Sequence, residues 1–197
     1  MSYISGKYHH PVSEYRVIMF LDLNDSTTIA EKLGAQRYHN FINDFFFEIT
    51  PAVVANKGEI YQYVGDEMII SWREKRGIPQ ANCVHCYFDI LELINRKKEK
   101  FLSDYGYVPS FKAGLHFGDV TVGEIGDVKR EIAFHGDTMN TAARIRSECS
   151  VLKRNLLVSD VLLQQLPATR NFAAESMGRL RLKGREADIE LFSITAA

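Results

Sequence analysis

Two aspartates stand beside predicted strands, in places where a carboxylate can do chemistry. Asp22 ends the apolar run from Arg16 to Asp22 (RVIMFLD), and Asp66 lies in the turn of a predicted hairpin. An apolar strand tolerates an aspartate at its end mainly as a cap or as a ligand. Two carboxylates and the strand-end carbonyl of Leu23 make a hard oxygen site that suits Mg²⁺ or Mn²⁺. We therefore predict that Asp22, Leu23 and Asp66 bind two ions that stabilise a displacement at phosphorus.

The residues that follow Asp22 are typical of a helix N-terminus. Capping side chains occur in a row just before an apolar-periodic segment, at Asn24, Asp25, Ser26 and Thr27. Free backbone N–H groups at a helix start bind phosphate, so we predict that this segment contacts a triphosphate. A single aspartate in a turn is more often structural. The pairing of two aspartates with this helix start favours the functional interpretation.

A second pair of polar residues lies in a predicted helix over Asp137 to Glu148. Asn140 and Arg144 are four residues apart, so they share one helix face. An amide beside a guanidinium can hold a ribose and neutralise charge on a phosphoryl group in the transition state. Taken alone, the pair is more often just an exposed arginine with a polar neighbour on a helix surface. Lys183 is a further candidate phosphate contact, although by itself it is merely a surface lysine.

Composition restricts the class of protein that carries these residues. The 197 residues suit one domain, and 46% hydrophobic residues can bury a substantial core. A formal net charge of -1 excludes a strongly basic surface for nucleic acid. The longest apolar run of the first strand, Val17 to Leu21, is far too short to cross a bilayer, and the first residues lack a secretory pattern. We expect a cytoplasmic protein without membrane contact, in keeping with its odd number of cysteines.

The pair Cys83 and Cys86 has the spacing of a redox or zinc motif. Both cysteines lie on the apolar side of a predicted helix, and no second cysteine pair completes four zinc ligands. We interpret them as small apolar residues on a buried helix face.

The order of predicted elements indicates an α+β fold. Strands are predicted at 16–22, 59–64, 67–72, 111–117, 120–125, 132–134, 156–158 and 188–194, with turns at Gly65-Asp66 and Gly118-Asp119. Helices connect them, so we predict a ferredoxin-like (palm-type), mostly antiparallel sheet with helices packed on it. In such a sheet the strands that end near Asp22 and Asp66 lie side by side. We expect residues 1–14 to form an N-terminal extension and residues 15–197 to form one domain.

Four segments resemble the successive motifs of the class III nucleotide cyclase catalytic domain. They are Phe20–Thr27 (FLDLNDST), Tyr63–Glu67 (YVGDE), Gly114–Gly118 (GLHFG) and Gly136–Arg144 (GDTMNTAAR). They occur in the order of that family, with roughly its spacing, over residues 15 to 194. The resemblance implies the class III cyclase fold and a head-to-tail homodimer whose active sites lie between subunits.

The resemblance also implies roles for these residues. Asp22 and Asp66 match the metal-binding aspartates, which one subunit supplies. Asn140 and Arg144 match the ribose-orienting and transition-state pair of the other subunit. Lys183 matches the lysine that contacts the terminal phosphates. The implied reaction converts ATP into 3′,5′-cyclic AMP and pyrophosphate.

The base-selecting positions depart from the family pattern. Adenylate cyclases usually carry a lysine three residues before the hairpin glycine and an Asp, Thr or Ser three before the later glycine, where this chain has Gln62 and Ala133. Gln62 can still pair with the N1 and N6 edge of adenine, whereas Ala133 offers only its backbone.

Several alternatives stay open. Cyclisation of CTP, UTP or GTP is compatible with the altered positions. The hairpin turn also resembles the turn motif of diguanylate cyclases. However, Val64 stands where that family has glycine, and the helix with Asn140 and Arg144 has no counterpart there. A non-catalytic cyclase-like module is disfavoured because both aspartates and Arg144 are retained.

Overall fold

Eight strands form one sheet in the computed structural model, which describes residues 8–168, 171–181 and 188–196. They are β1 (Val12–Leu23), β2 (Glu59–Val64), β3 (Glu67–Arg73), β4 (Phe111–Ile125), β5 (Glu131–His135), β6 (Leu156–Ser159), β7 (Phe172–Leu180) and β8 (Ile189–Ala196). Their order is β2-β3-β1-β4-β6-β8-β7, with β5 paired to the end of β4. Among the described pairings, β4 and β6 run parallel and the others antiparallel. The predicted α+β fold with a mostly antiparallel sheet is confirmed.

Helices cover both faces of this sheet. They are α1 (Ser26–Leu33), α2 (Ala35–Ala55), α3 (Glu74–Gly77), α4 (Asn82–Arg96), α5 (Lys98–Tyr105), α6 (Asp137–Leu152) and α7 (Asp160–Gln165). None of the helices in the described part of the chain is long and apolar enough to span a bilayer.

The central strand β1 is buried on both sides, which explains its unbroken apolar sequence. Val17, Met19 and Leu21 belong to the main core, together with residues of α2 and α4. Ile18 and Phe20 face the other way and pack with residues of α6. Each side chain from Val17 to Leu21 therefore has an apolar neighbour on its own face. The strand ends at a fixed place between two helical layers, and Asp22 is held there.

The cysteine pair is buried, as the sequence predicts. Cys83 and Cys86 are both 0% exposed on α4 and belong to the main core. Burial raises the pKa of the Cys83 thiol to about 12 and also raises that of Cys86. A thiol that stays protonated is neither a good nucleophile nor a metal ligand.

The turn predicted at Gly118 and Asp119 is wrong, because β4 continues through it to Ile125. β1 is longer than predicted, and its residues Tyr15 and Arg16 pair with Asp119 and Gly118. Glycine is needed here for another reason: a Cβ at Gly118 would lie 2.5 Å from Thr138 Oγ1 of α6. Gly118 therefore allows α6 to pack closely against β4, and it does not form a turn.

Three further predictions about the elements need correction. β1 begins at Val12 and not at Arg16. β7 was not predicted, because this strand beside β8 has mostly exposed or half-exposed side chains and no apolar alternation. The strands expected side by side, β1 and β2, are separated by β3. The last correction changes how the two aspartates meet.

Candidate active site

Asp22 and Asp66 approach each other through β3. Asp22 pairs with Glu67, the first residue of β3, and Asp66 directly precedes Glu67 in the turn from β2. The two aspartates thus reach the same end of the sheet, although their strands are not adjacent.

The charges of both carboxylates influence two neighbouring groups. Burial raises the pKa of Tyr38, and the charges of Asp66 and Asp22 raise it further. Burial also raises the pKa of Glu67 against the opposing effect of Arg146, and Asp22 and Asp66 again raise it. Electrostatic effects fall with distance, so both aspartates lie near these two residues.

The donor set suits a hard divalent cation whose coordination is completed by a ligand. Asp22, Asp66 and the carbonyl of Leu23 offer oxygen donors of the kind that Mg²⁺ and Mn²⁺ bind. In the described parts of the chain, no three His, Cys, Asp or Glu side chains are grouped to hold a metal by themselves. Mg²⁺ is commonly held by one or two carboxylates plus substrate phosphates. The site therefore fits a cation that shares its coordination with a phosphate ligand.

Two basic residues at this site were not identified from the sequence. Lys112 Nζ lies 2.9 Å from Asp22 Oδ2, and Arg146 Nη1 lies 3.4 Å from the same oxygen. Arg146 Nη2 also lies 2.8 Å from Glu67 Oε2. A lysine inside the apolar segment from Phe111 was a visible signal, but its partner depends on the pairing of β4 with β1. Arg146 carried no such signal, because its contact depends on how α6 is rotated.

The predicted phosphate-binding segment forms the start of α1. Asp25 is the N-cap, with a φ of 55°, and its side chain makes no capping hydrogen bond. Asn24 is tied to the sheet by a backbone hydrogen bond from its N–H to Ser110 O, at 2.8 Å. Its side-chain oxygen accepts a hydrogen bond from Lys112 at 3.3 Å. Ser26 and Thr27 open the helix, so their backbone N–H groups have no carbonyl of the same helix to bond.

Asn140 and Arg144 lie on α6, which is locked against the sheet. Thr138 Oγ1 donates a hydrogen bond to Asp119 O at 2.7 Å near the start of this helix. Asn140 is exposed and Arg144 is half-buried. Within the described residues, neither side chain has a recorded hydrogen bond or ion pair. Both are therefore available to a ligand.

Gln62 and Ala133 line one cavity of about 820 Å³. Gln62 is exposed on β2, and Ala133 is 6% exposed on β5. Tyr61 and Phe134 join them in the wall, with their rings stacked at a centroid distance of 4.2 Å. The structure brings the two predicted base-selecting positions together. Aromatic side chains beside them were not identified from the sequence.

The other predicted site residues do not share the cavity that Gln62 and Ala133 line, as far as the structure describes it. The described lining of this cavity does not include Asp22, Asp66, Asn140 or Arg144. Lys183 falls outside the described residues.

Comparison with known proteins gives a consistent result. The model of the family "Adenylate and Guanylate cyclase catalytic domain" matches residues 9–196. The chain is 38% identical over 196 residues to Adenylate cyclase 2 of Rhizobium meliloti (strain 1021), covering 100% of this chain and 54% of that relative. The chain thus spans about half the length of that relative.

Solved structures share the fold. The adenylyl cyclase CyaB from P. aeruginosa superposes with a TM-score of 0.82 at 16% identity, covering 95% of this chain and 97% of that one. The guanylate cyclase domain of RhGC from Catenaria anguillulae, solved in complex with GTP, superposes with a TM-score of 0.78 at 20% identity and covers 94% and 98% of the two chains. The family match over nearly the full chain and the shared fold lead to one conclusion: the chain belongs to the adenylate and guanylate cyclase catalytic domain family, and its fold is that of class III cyclases.

Proposed function

We propose that the chain converts ATP into 3′,5′-cyclic AMP and pyrophosphate, at active sites shared between the subunits of a homodimer. Family membership supports the reaction class, and the relative with 38% identity is named an adenylate cyclase. The three cysteines, all free and buried in the described chain, are in keeping with a cytoplasmic location.

The positions of the functional groups around α6 support an active site shared between two subunits. Arg146 extends toward Asp22 and Glu67. Arg144 precedes it by two residues, so it emerges about 200° away around the helix axis. One chain therefore presents its carboxylates and its Asn140–Arg144 pair in different directions. Two chains packed head to tail about a twofold axis can bring the pair of one chain to the carboxylates of the other, which makes two sites.

Asp22, Asp66 and the Leu23 carbonyl would hold the Mg²⁺ or Mn²⁺ ions, two per site. When bound, such ions stabilise the attacking and the leaving oxygens of a displacement at phosphorus. Backbone N–H groups at the start of α1, in the segment from Asn24 to Thr27, bind phosphate oxygens. Lys183 contacts the terminal phosphates.

Asn140 and Arg144 act on the reacting atoms from the partner subunit. Asn140 orients the ribose so that its 3′-oxygen faces the α-phosphorus. The 3′-hydroxyl releases its proton to solvent water, the bond from the 3′-oxygen to the α-phosphorus forms, and the bond from the α-phosphorus to the pyrophosphate oxygen breaks. Arg144 neutralises the charge that develops on the α-phosphate.

Base choice depends on the cavity that Gln62 and Ala133 line. The Gln62 amide can donate to N1 and accept from N6 of adenine, whereas Ala133 can contribute only backbone groups. The same fold binds GTP in the RhGC domain. GTP, CTP and UTP are therefore the alternatives to test against ATP.

The test is a competition assay with purified protein, Mn²⁺ and all four ribonucleoside triphosphates, with cyclic products separated by chromatography. We expect cyclic AMP as the main product and its loss in Asp66→Ala. Asp104→Ala removes an exposed carboxylate on α5 and should leave the product yield unchanged. Faster turnover of another nucleotide would reassign the substrate. No cyclic product at high protein concentration, with folded protein, would favour a non-catalytic module.

A further inference from the structure

Arg146 connects two acidic residues at the proposed metal site. Its Nη2 lies 2.8 Å from Glu67 Oε2, and its Nη1 lies 3.4 Å from Asp22 Oδ2. Lys112 approaches the same oxygen of Asp22, with its Nζ 2.9 Å away. Two positive charges therefore converge on one oxygen of a residue that the proposed function makes a metal ligand.

The backbone that carries Arg146 packs directly against the sheet. A Cβ at Gly114 of β4 would lie 2.2 Å from the backbone nitrogen of Arg146, so the two backbones are in direct contact. With α6 packed in this way, rotation of the Arg146 side chain is the direct route to a change of partner at Asp22. Glu67 stays within reach during such a rotation, because it contacts the other nitrogen of the guanidinium.

The ion pairs are mostly shielded from solvent. The exposed fraction of the side chain is 27% for Arg146, 13% for Asp22 and 10% for Glu67. Charges in such a setting interact more strongly than a fully exposed surface pair. The attraction of Arg146 for Asp22 is therefore large enough to oppose another cation.

We propose that Arg146 is a built-in competitor of the divalent cation at Asp22, with Glu67 as the second anchor that keeps it in place. This inference rests on the proposed function, because it takes Asp22 as a metal ligand. A cation that binds Asp22 Oδ2 displaces the guanidinium from that oxygen and leaves Arg146 paired with Glu67.

The competition favours cations that arrive together with nucleotide. A free cation has to displace Arg146 and Lys112 against their attraction for Asp22. A cation bound to a triphosphate brings negative charge to the same place, and the displaced cationic side chains can pair with phosphate oxygens. The free protein therefore holds divalent cations weakly, and the nucleotide complex holds them well.

The test measures Mn²⁺ binding to the full chain without nucleotide, from the electron paramagnetic resonance signal of free Mn²⁺. Arg146→Gln should bind Mn²⁺ at least about fivefold more tightly than the wild type, as expected for one charge removed a few ångströms away. Arg146→Lys keeps the charge and should bind more weakly than Arg146→Gln. Arg154→Gln removes an exposed arginine that pairs with Glu175 at 3.1 Å, and its affinity should match the wild type.

Unchanged or weaker Mn²⁺ binding by folded Arg146→Gln would overturn the inference. If that variant does not fold, Glu67→Gln provides the same test, because Arg146 then pairs with Asp22 alone. Its Mn²⁺ affinity should fall, and a rise would overturn the inference. Cyclase assays separate this inference from the proposed function. Affinity changes without any cyclic product would refute the function alone, whereas normal cyclisation without affinity changes would refute the competition alone.

Discussion

β1 carries two charged residues whose surroundings differ: Arg16 lies within the strand and Asp22 lies near its C-terminal end. Arg16 is 1% exposed and donates to Glu14 Oε2 at 2.8 Å, Glu59 Oε2 at 3.0 Å and Ser71 Oγ at 3.0 Å. Asp22, near the C-terminal end of the strand, retains 13% exposure of its side chain, and one of its oxygens contacts two cations.

The difference shows how a structural charge is distinguished from a functional one. Burial alone would lower the pKa of Arg16, but its contacts with Glu59 and Glu14 outweigh burial and raise it. The charge of Arg16 is therefore permanent, and its partners come from β1, β2 and β3. The partners of Asp22 are cations that a metal ion can replace. A saturated buried charge stabilises the sheet, whereas a replaceable pairing at the sheet end prepares a binding site.

The largest expected effect is a loss of cyclase activity when the proposed active site is disrupted. Asp22→Ala and Arg144→Ala should each lower cyclase activity by at least about a hundredfold, because each removes one half of a shared site. Mixing the two inactive proteins should restore about one quarter of wild-type activity, since half of the dimers then contain one intact site out of two. The measurement is cyclic AMP formation after subunit exchange. No recovery in a proven mixed dimer would contradict the shared site.

An intermediate effect, on stability, is expected at Arg16. Arg16→Met should reduce the free energy of unfolding by about 2–4 kcal/mol, because it leaves the Glu14 and Glu59 carboxylates without their buried partner. Arg73→Met is the matched control: Arg73 approaches Glu14 at 3.7 Å but is 43% exposed, so its loss should cost less than about 1 kcal/mol. Urea denaturation measures both values. Equal losses would show that burial does not distinguish the two arginines.

The smallest effect concerns a charge cluster on the helical layer. The hydrogen bond from Lys100 lowers the pKa of Glu48 on α2, and Lys97 also lowers it against burial. The folded protein therefore favours the ionised carboxylate, so the stabilisation is present above the ordinary pKa and lost as pH falls through the folded-state pKa. Glu48→Gln should cost less than about 1 kcal/mol at pH 7, because both lysines are nearly half exposed.

Thermal melting of wild type and Glu48→Gln from pH 7 down to pH 3 measures this difference. The two curves should converge at acidic pH. A difference that is constant with pH would mean that packing of the side chain, rather than its charge, stabilises α2.

Local signals predicted the elements that have strong patterns of their own. The apolar run of β1, the hairpin of β2 and β3, and the helix with Asn140 and Arg144 all follow from periodicity and turn residues. The turn at Gly118-Asp119 shows the limit of such signals, because pairing with the long β1 overrides the local preference for a turn. β7 escaped prediction because its sequence has no apolar face of its own.

The sequence by itself determined which chemical groups stand at strand ends and which share a helix face, since these depend on residues a few positions apart. Only the tertiary structure decided that β3 lies between the strands expected to be neighbours, and that Lys112 and Arg146 pair with Asp22. Arg146 is 124 positions away from Asp22 in the chain. Such contacts follow from strand register and from the rotation of α6 on the sheet, and packing of the whole core determines both.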